Sequence, residues 1–162
     1  FLIQDITEEN INDLDSKVLE EYLLWVKYNG GQTTIDEFRA LTKEEQLEVI
    51  EYLMDFLVYE EIKVAGRDYL LVHAGLGGFY TGKNMEDYSI DELVWDRPDY
   101  DVKYVVTGHT PTQIINGNSN PGFIYRNCNN IVIDCGAHYS GGRLAALCLD
   151  TDKEYYSYVN LD

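Results

Sequence analysis

EIKVAGRDYLLVHAG, residues 61–75, marks a change of texture in the chain. Before it, apolar residues recur every three or four positions; from Ile62 onward they come in short continuous runs. The stretch predicts two strands joined by a turn around residues 66–68, the second strand being the apolar run 69–72. That run stops at His73 and opens into a loop containing Gly75, Gly77 and Gly78. YVVTGHTPT, residues 104–112, repeats the arrangement. Tyr104, Val105 and Val106 are strong strand formers. Gly108 breaks the run, and Pro111 prevents its continuation as a central strand. His109 is therefore expected at the mouth of a strand, as His73 is. Two of the three histidines in the chain share this setting.

Working outward, residues 1–60 read as a helical segment. In SKVLEEYLLWVKYNGG, Ser16 is a candidate cap, and Val18, Leu19, Tyr22, Leu23 and Val26 share one face. Gly30 and Gly31 are expected to end that helix. A short helix is expected from about Thr34 to Ala40. Thr42 and Glu45 form a capping box for a third, along which Leu47, Ile50, Leu53, Met54 and Leu57 recur at helical spacing. Residues 61–162 read as strand-rich. SIDELVWDRP is a short helix or turn ending at Pro98, and NNIVIDCG is a strand. RLAALCLDTDKEYYSYVNL is two strands joined at residues 150–153. Helices followed by strands within one domain give an α+β class, or part of a layered α/β fold.

A chain of 162 residues with 45% apolar content can bury a core. No apolar run approaches the roughly 20 residues that span a bilayer, and no signal segment is visible. The net charge of −17 disfavours nucleic acid, because neutralising phosphates needs clustered Lys and Arg. It leaves a phosphate substrate open, since a bound divalent ion can invert the local field. Cys128, Cys135 and Cys148 include no CxxC pair, and they read as reduced core thiols of a cytoplasmic protein.

His73 and His109 have two readings: hydrogen-bonded strand-end residues, or imidazole ligands of a first-row metal. Nearby glycines suit the ligand reading, because metal and phosphate need close backbone approach. Asp134, ending NNIVIDCG, could approach the same crevice or simply accept backbone hydrogen bonds. Arg97 in LVWDRP suits bidentate phosphate binding, or an ion pair with Asp96. Arg143 in YSGGRL is a weaker candidate of the same kind. The HAGLGG loop is neither GxGxxG nor a Walker motif.

Taken in order, LLVHAGL, LVWDRP, YVVTGHTPT and NIVIDCGAHYSGGRLAALCLD resemble the C-terminal half of calcineurin-like metallophosphoesterases, nearest to bacterial and phage serine/threonine phosphoprotein phosphatases. The resemblance covers about residues 60–150. It implies half of a four-layer αββα sandwich and a two-metal site, commonly manganese, iron or zinc, hydrolysing phosphomonoesters. His73 and His109 match two histidine ligands of one metal. Arg97 matches an arginine that holds the substrate phosphoryl group, and Tyr139 an aromatic residue lining the pocket. Thr110-Pro111 after His109 is the phosphoprotein phosphatase variant of the GH motif. The family's earlier motifs GDxHG, GDxxDRG and GNHE are absent, and the chain begins with Phe. It is therefore expected to be a C-terminal fragment that self-associates or pairs with the missing half, and that is inactive alone. A phosphorylated protein is the expected substrate. The alternatives are a dinucleoside polyphosphate, or a non-catalytic binding module with structural histidines.

Overall fold

The computed structural model describes residue 6, residues 9–95 and residues 104–158. The chain divides into two compact units, residues 1–56 and 57–162.

The first unit contains helices α1 (Ser16–Tyr28), α2 (Gly31–Ala40) and α3 (Lys43–Met54). Tyr22 of α1 and Ile35 of α2 are buried with Ile6, and Leu23, Trp25 and Val26 pack around them. The apolar face of α1 is the one its periodicity marks, but its cap is Asp15, not Ser16. The Asp15 carboxylate accepts the Lys17 amide hydrogen at 2.9 Å. α2 starts three residues earlier than expected. Gly30 takes φ +74° and turns the chain within one residue, and Gly31 then lies flat against the Trp25 indole, where a Cβ would overlap the ring. The Thr42–Glu45 capping box forms in both directions. The apolar spacing along α3 does not lead to a core: no residue of α3 is buried.

The second unit carries β1 (Tyr59–Val64), β2 (Arg67–Val72), α4 (Ile90–Val94), β3 (Tyr104–Thr107), β4 (Tyr125–Asn127), β5 (Asn130–Val132), β6 (Ala145–Cys148) and β7 (Lys153–Tyr156). Five strands form a mixed sheet in the order β1-β2-β3-β5-β4, with β2, β3 and β5 mutually parallel and the edges antiparallel. β6 and β7 form a separate antiparallel hairpin. The protein is thus α+β, with four α-helices and a mixed five-stranded sheet among the described residues. No helix among them is long and apolar enough to cross a membrane.

The β1–β2 turn is Ala65-Gly66, tighter than the expected 66–68. Both residues take positive φ (50° and 80°), the backbone of a two-residue hairpin that matches strand twist, so Arg67 and Asp68 belong to the strand. β4 was not anticipated. It pairs with β5 across a two-residue turn whose first residue, Cys128, sits at φ 51°. This makes Cys128 an exposed turn residue and corrects its reading as a core thiol. Cys135 is buried and Cys148 half-buried, and all three are free.

The continuous apolar runs are explained by the parallel centre of the sheet, which is buried on both faces. Leu70, Val72 and Val105 pack on one side with Leu76 and Leu93. Tyr69, Val106 and Ile131 pack on the other with Leu147 and Leu149 of the hairpin. Arg126 ties the hairpin to the sheet, donating to Glu154 and to Asp152, each at 3.0 Å.

Candidate functional site

The three parallel strands end at nearly the same level. In register, Val72 lies beside Thr107, and Thr107 beside Val132. Beyond the paired residues the alignment continues, since the Gly108 amide donates to the His73 carbonyl at 2.9 Å and the Ile133 amide to the Thr107 carbonyl at 2.8 Å. His73, His109 and Asp134 therefore lie at or just past the carboxyl ends of three adjacent parallel strands, the edge at which open α/β sheets bind ligands.

His73 Nε2 and His109 Nδ1 stand 3.0 Å apart, with ring centroids separated by 4.8 Å. Backbone geometry produces this approach. His109 adopts φ 61°, a left-handed conformation uncommon outside glycine, and the Thr110 amide closes a tight turn onto the Gly108 carbonyl at 2.6 Å. The indole of Trp95 meets the His109 ring edge-on, centroids 5.3 Å apart and planes at 84°. In the sequence Trp95 stands in LVWDRP, two positions before Arg97. An aromatic residue two positions after the buried Leu93 carries no signal in the sequence that it would reach a second loop.

Burial, followed by the charge of neighbouring His109, lowers the His73 pKa, and the Asp134 carboxylate opposes both. The net lowering favours neutral imidazole, the form that ligates metals. Asp134 accepts the Gly136 amide hydrogen at 2.9 Å through Oδ1, as a strand-end carboxylate does. Its backbone carbonyl accepts from the Thr112 amide at 2.8 Å. Thr112 is fully buried and also accepts the Gly122 amide hydrogen at 3.0 Å. One buried threonine thus fastens the His109 loop to the Asp134 loop, a link that spacing in the sequence does not reveal.

The other expected residues are placed differently. Tyr139 is partly exposed and stacks on His138, centroids 4.2 Å apart; among the described residues it makes no ring or hydrogen-bond contact with His73 or His109. Arg143 is half-buried, its guanidinium 3.9 Å above the Phe123 ring and 5.9 Å from that of Tyr156, so it is engaged as a stacked cation. Arg97 lies outside the described residues.

Two convergent imidazole nitrogens suit a borderline divalent ion such as zinc, manganese or iron, and fill part of its usual shell of roughly four to six ligands. No group of three or more His, Cys, Asp or Glu able to hold a metal occurs among the described residues. No protein-family model matches the chain, and none of the curated proteins compared with it is similar to it.

Proposed function

We propose that the chain is part of a metal-dependent phosphoesterase acting on phosphomonoesters, with phosphoserine or phosphothreonine proteins as the substrate class. The observation that carries this reading is the 3.0 Å approach of His73 Nε2 and His109 Nδ1 at the ends of adjacent parallel strands. His73 and His109 would hold one of two divalent ions. Bound there, the ions would supply an acidified water as nucleophile and Lewis-acid stabilisation of phosphoryl oxygens. Arg97 would bind the phosphoryl group through its guanidinium fork, and Tyr139 would contribute to the pocket wall. Two imidazoles alone hold a divalent ion weakly, so turnover needs donors beyond this pair.

A second reading has one observation in its favour. The two histidines can satisfy each other as donor and acceptor without a metal, and no third ligand is near among the described residues. On that reading the domain is a non-catalytic binding module. Metal content by elemental analysis, together with hydrolysis of a chromogenic phosphate ester by the full-length protein, separates the two. Stoichiometric metal lost on His73→Asn supports the phosphoesterase. Metal-free protein without turnover supports the module.

A further inference from the structure

We propose that a cavity of about 670 Å³ over the sheet face that carries Leu70 and Val105 binds a small organic cation: an ammonium group on an apolar or aromatic body. The cavity lies wholly within the second unit and shares no lining residue with the histidine pair, so this proposal does not rest on the phosphoesterase reading. Its floor is the sheet itself, through Leu70 of β2 and Val105 of β3, with Leu76 beside them. The segment that follows Leu76 brings Phe79, Met85 and Tyr88 against this buried floor, and β1 brings Tyr59.

Size argues for a small molecule, since sites of that kind enclose roughly 300–1,000 Å³ between apolar walls that carry a few polar groups. Charge then selects the class. Glu61 and Glu86, both exposed, add two carboxylates to the lining. Lys83 is the one base among the described lining residues, and its charge is already answered. Its ammonium donates to Glu92 Oε1 at 2.8 Å and to the Gly77 carbonyl at 3.3 Å, and its side chain is only 8% exposed. An anion entering the cavity meets two carboxylates in a molecule of charge −17, whereas a cation is drawn in by both. The aromatic walls favour the same sign. The Lys83 ammonium lies 3.8 Å from the centroid of the Tyr88 ring, so one ring of this lining already holds a cation, and Tyr59 and Phe79 supply two more. An uncharged ligand would gain the apolar floor and forgo both attractions. A second copy of the chain would bring the same net negative charge to the same carboxylates.

The two methionines of the chain separate this cavity from the rest of the surface. Met85 lines it, whereas Met54 ends α3 in the first unit and is 74% exposed. Full-length protein carrying ¹³C-labelled methionine methyl groups is titrated with phenylbutylamine, protonated at neutral pH, and with uncharged phenylbutanol. Met85→Leu and Met54→Leu assign the two signals. The amine is expected to shift the Met85 signal saturably, to leave Met54 unmoved, and to bind about fivefold more tightly than the alcohol. Glu61→Gln combined with Glu86→Gln is expected to narrow that preference while leaving binding of the alcohol unchanged. Both side chains are exposed, so the variant keeps the fold. Equal affinities for amine and alcohol, or a preference undiminished in the double variant, overturns the assignment of a cation. A Met54 shift in step with Met85, or no saturable shift of Met85, overturns the cavity as a site. Metal content enters none of these readings, so the histidine site stands or falls separately.

Discussion

At the scale of single residues, His73 and His109 are bound by a shared geometry that neither could provide alone. Each replacement by asparagine is expected to remove a direct ligand, lowering metal content and reducing turnover by at least about 100-fold, because the remaining donors cannot close the shell. Asparagine is the appropriate choice at 109, since it tolerates the φ of 61° found there and so separates loss of the ligand from collapse of the turn. Full metal occupancy in both variants would remove the assignment. Arg97→Ala is expected to leave metal content unchanged and to reduce kcat/KM by an amount equivalent to roughly 2–4 kcal/mol, the loss of a charge-assisted fork to phosphate. Unaltered kinetics would make Arg97 an ion-pair partner only. The two histidines could be singled out in the sequence because each followed an apolar strand run and stood next to a small residue. Trp95 and Thr112 could not be. The first acts across two loops, and the second through a backbone amide any residue but proline would carry.

At the scale of elements, the strands of the parallel centre were legible because burial on both faces demands unbroken apolar runs. Turn positions were less so. Ala65 occupies a φ of 50°, a conformation costing roughly 1 kcal/mol for a residue with an ordinary Cβ, and nothing about alanine announces it. Ala65→Asn is therefore expected to stabilise the second unit by about 0.5–1 kcal/mol, since asparagine is favoured in the first position of this turn and Gly66 already occupies the second. A thermal melt checks it, and a lower melting temperature would show that the hairpin does not limit stability. β4 escaped notice because three residues, two of them exposed, carry no alternation to read. Periodicity along α3 was genuine, yet it does not say how deeply a helix is buried: Leu47 is 60% and Met54 74% exposed. Hydrophobic spacing marks a face; whether something covers that face is a property of other elements.

At the scale of the whole molecule, the chain is strongly acidic, at −17, and its stability at alkaline pH is expected to be limited where the β6–β7 hairpin meets the sheet. Tyr156 donates its hydroxyl hydrogen to Glu154 and accepts the Ile124 amide hydrogen at 3.2 Å, tying β7 to the segment before β4. Burial, with the hydrogen bond to Glu154, pushes its pKa from 10.0 up to about 12. Buried Cys135, desolvated and beside Asp134, is pushed from 9.0 up to about 11. In both cases the native state holds its proton more tightly than the unfolded chain. The unfolded chain therefore releases protons first as pH rises, and stability falls with pH wherever the native state binds more of them. The contribution is complete below pH 9, begins to decline as unfolded Cys135 ionises, and is gone above about pH 12. The melting temperature is thus expected to be insensitive to these two groups between pH 7 and 9 and to drop steeply above it. Tyr156→Phe separates two effects that act in opposite directions. At pH 7 it loses two hydrogen bonds and about 1–2 kcal/mol. Above pH 10 it no longer carries a proton to lose, so its melting curve falls less steeply than that of the parent and the gap between them narrows. Cys135→Ala does the same from pH 9, with the further cost of a small cavity. Parallel alkaline slopes in parent and both variants would show that the general ionisation of the 14 tyrosines, and the added repulsion in an already acidic molecule, governs the limit instead.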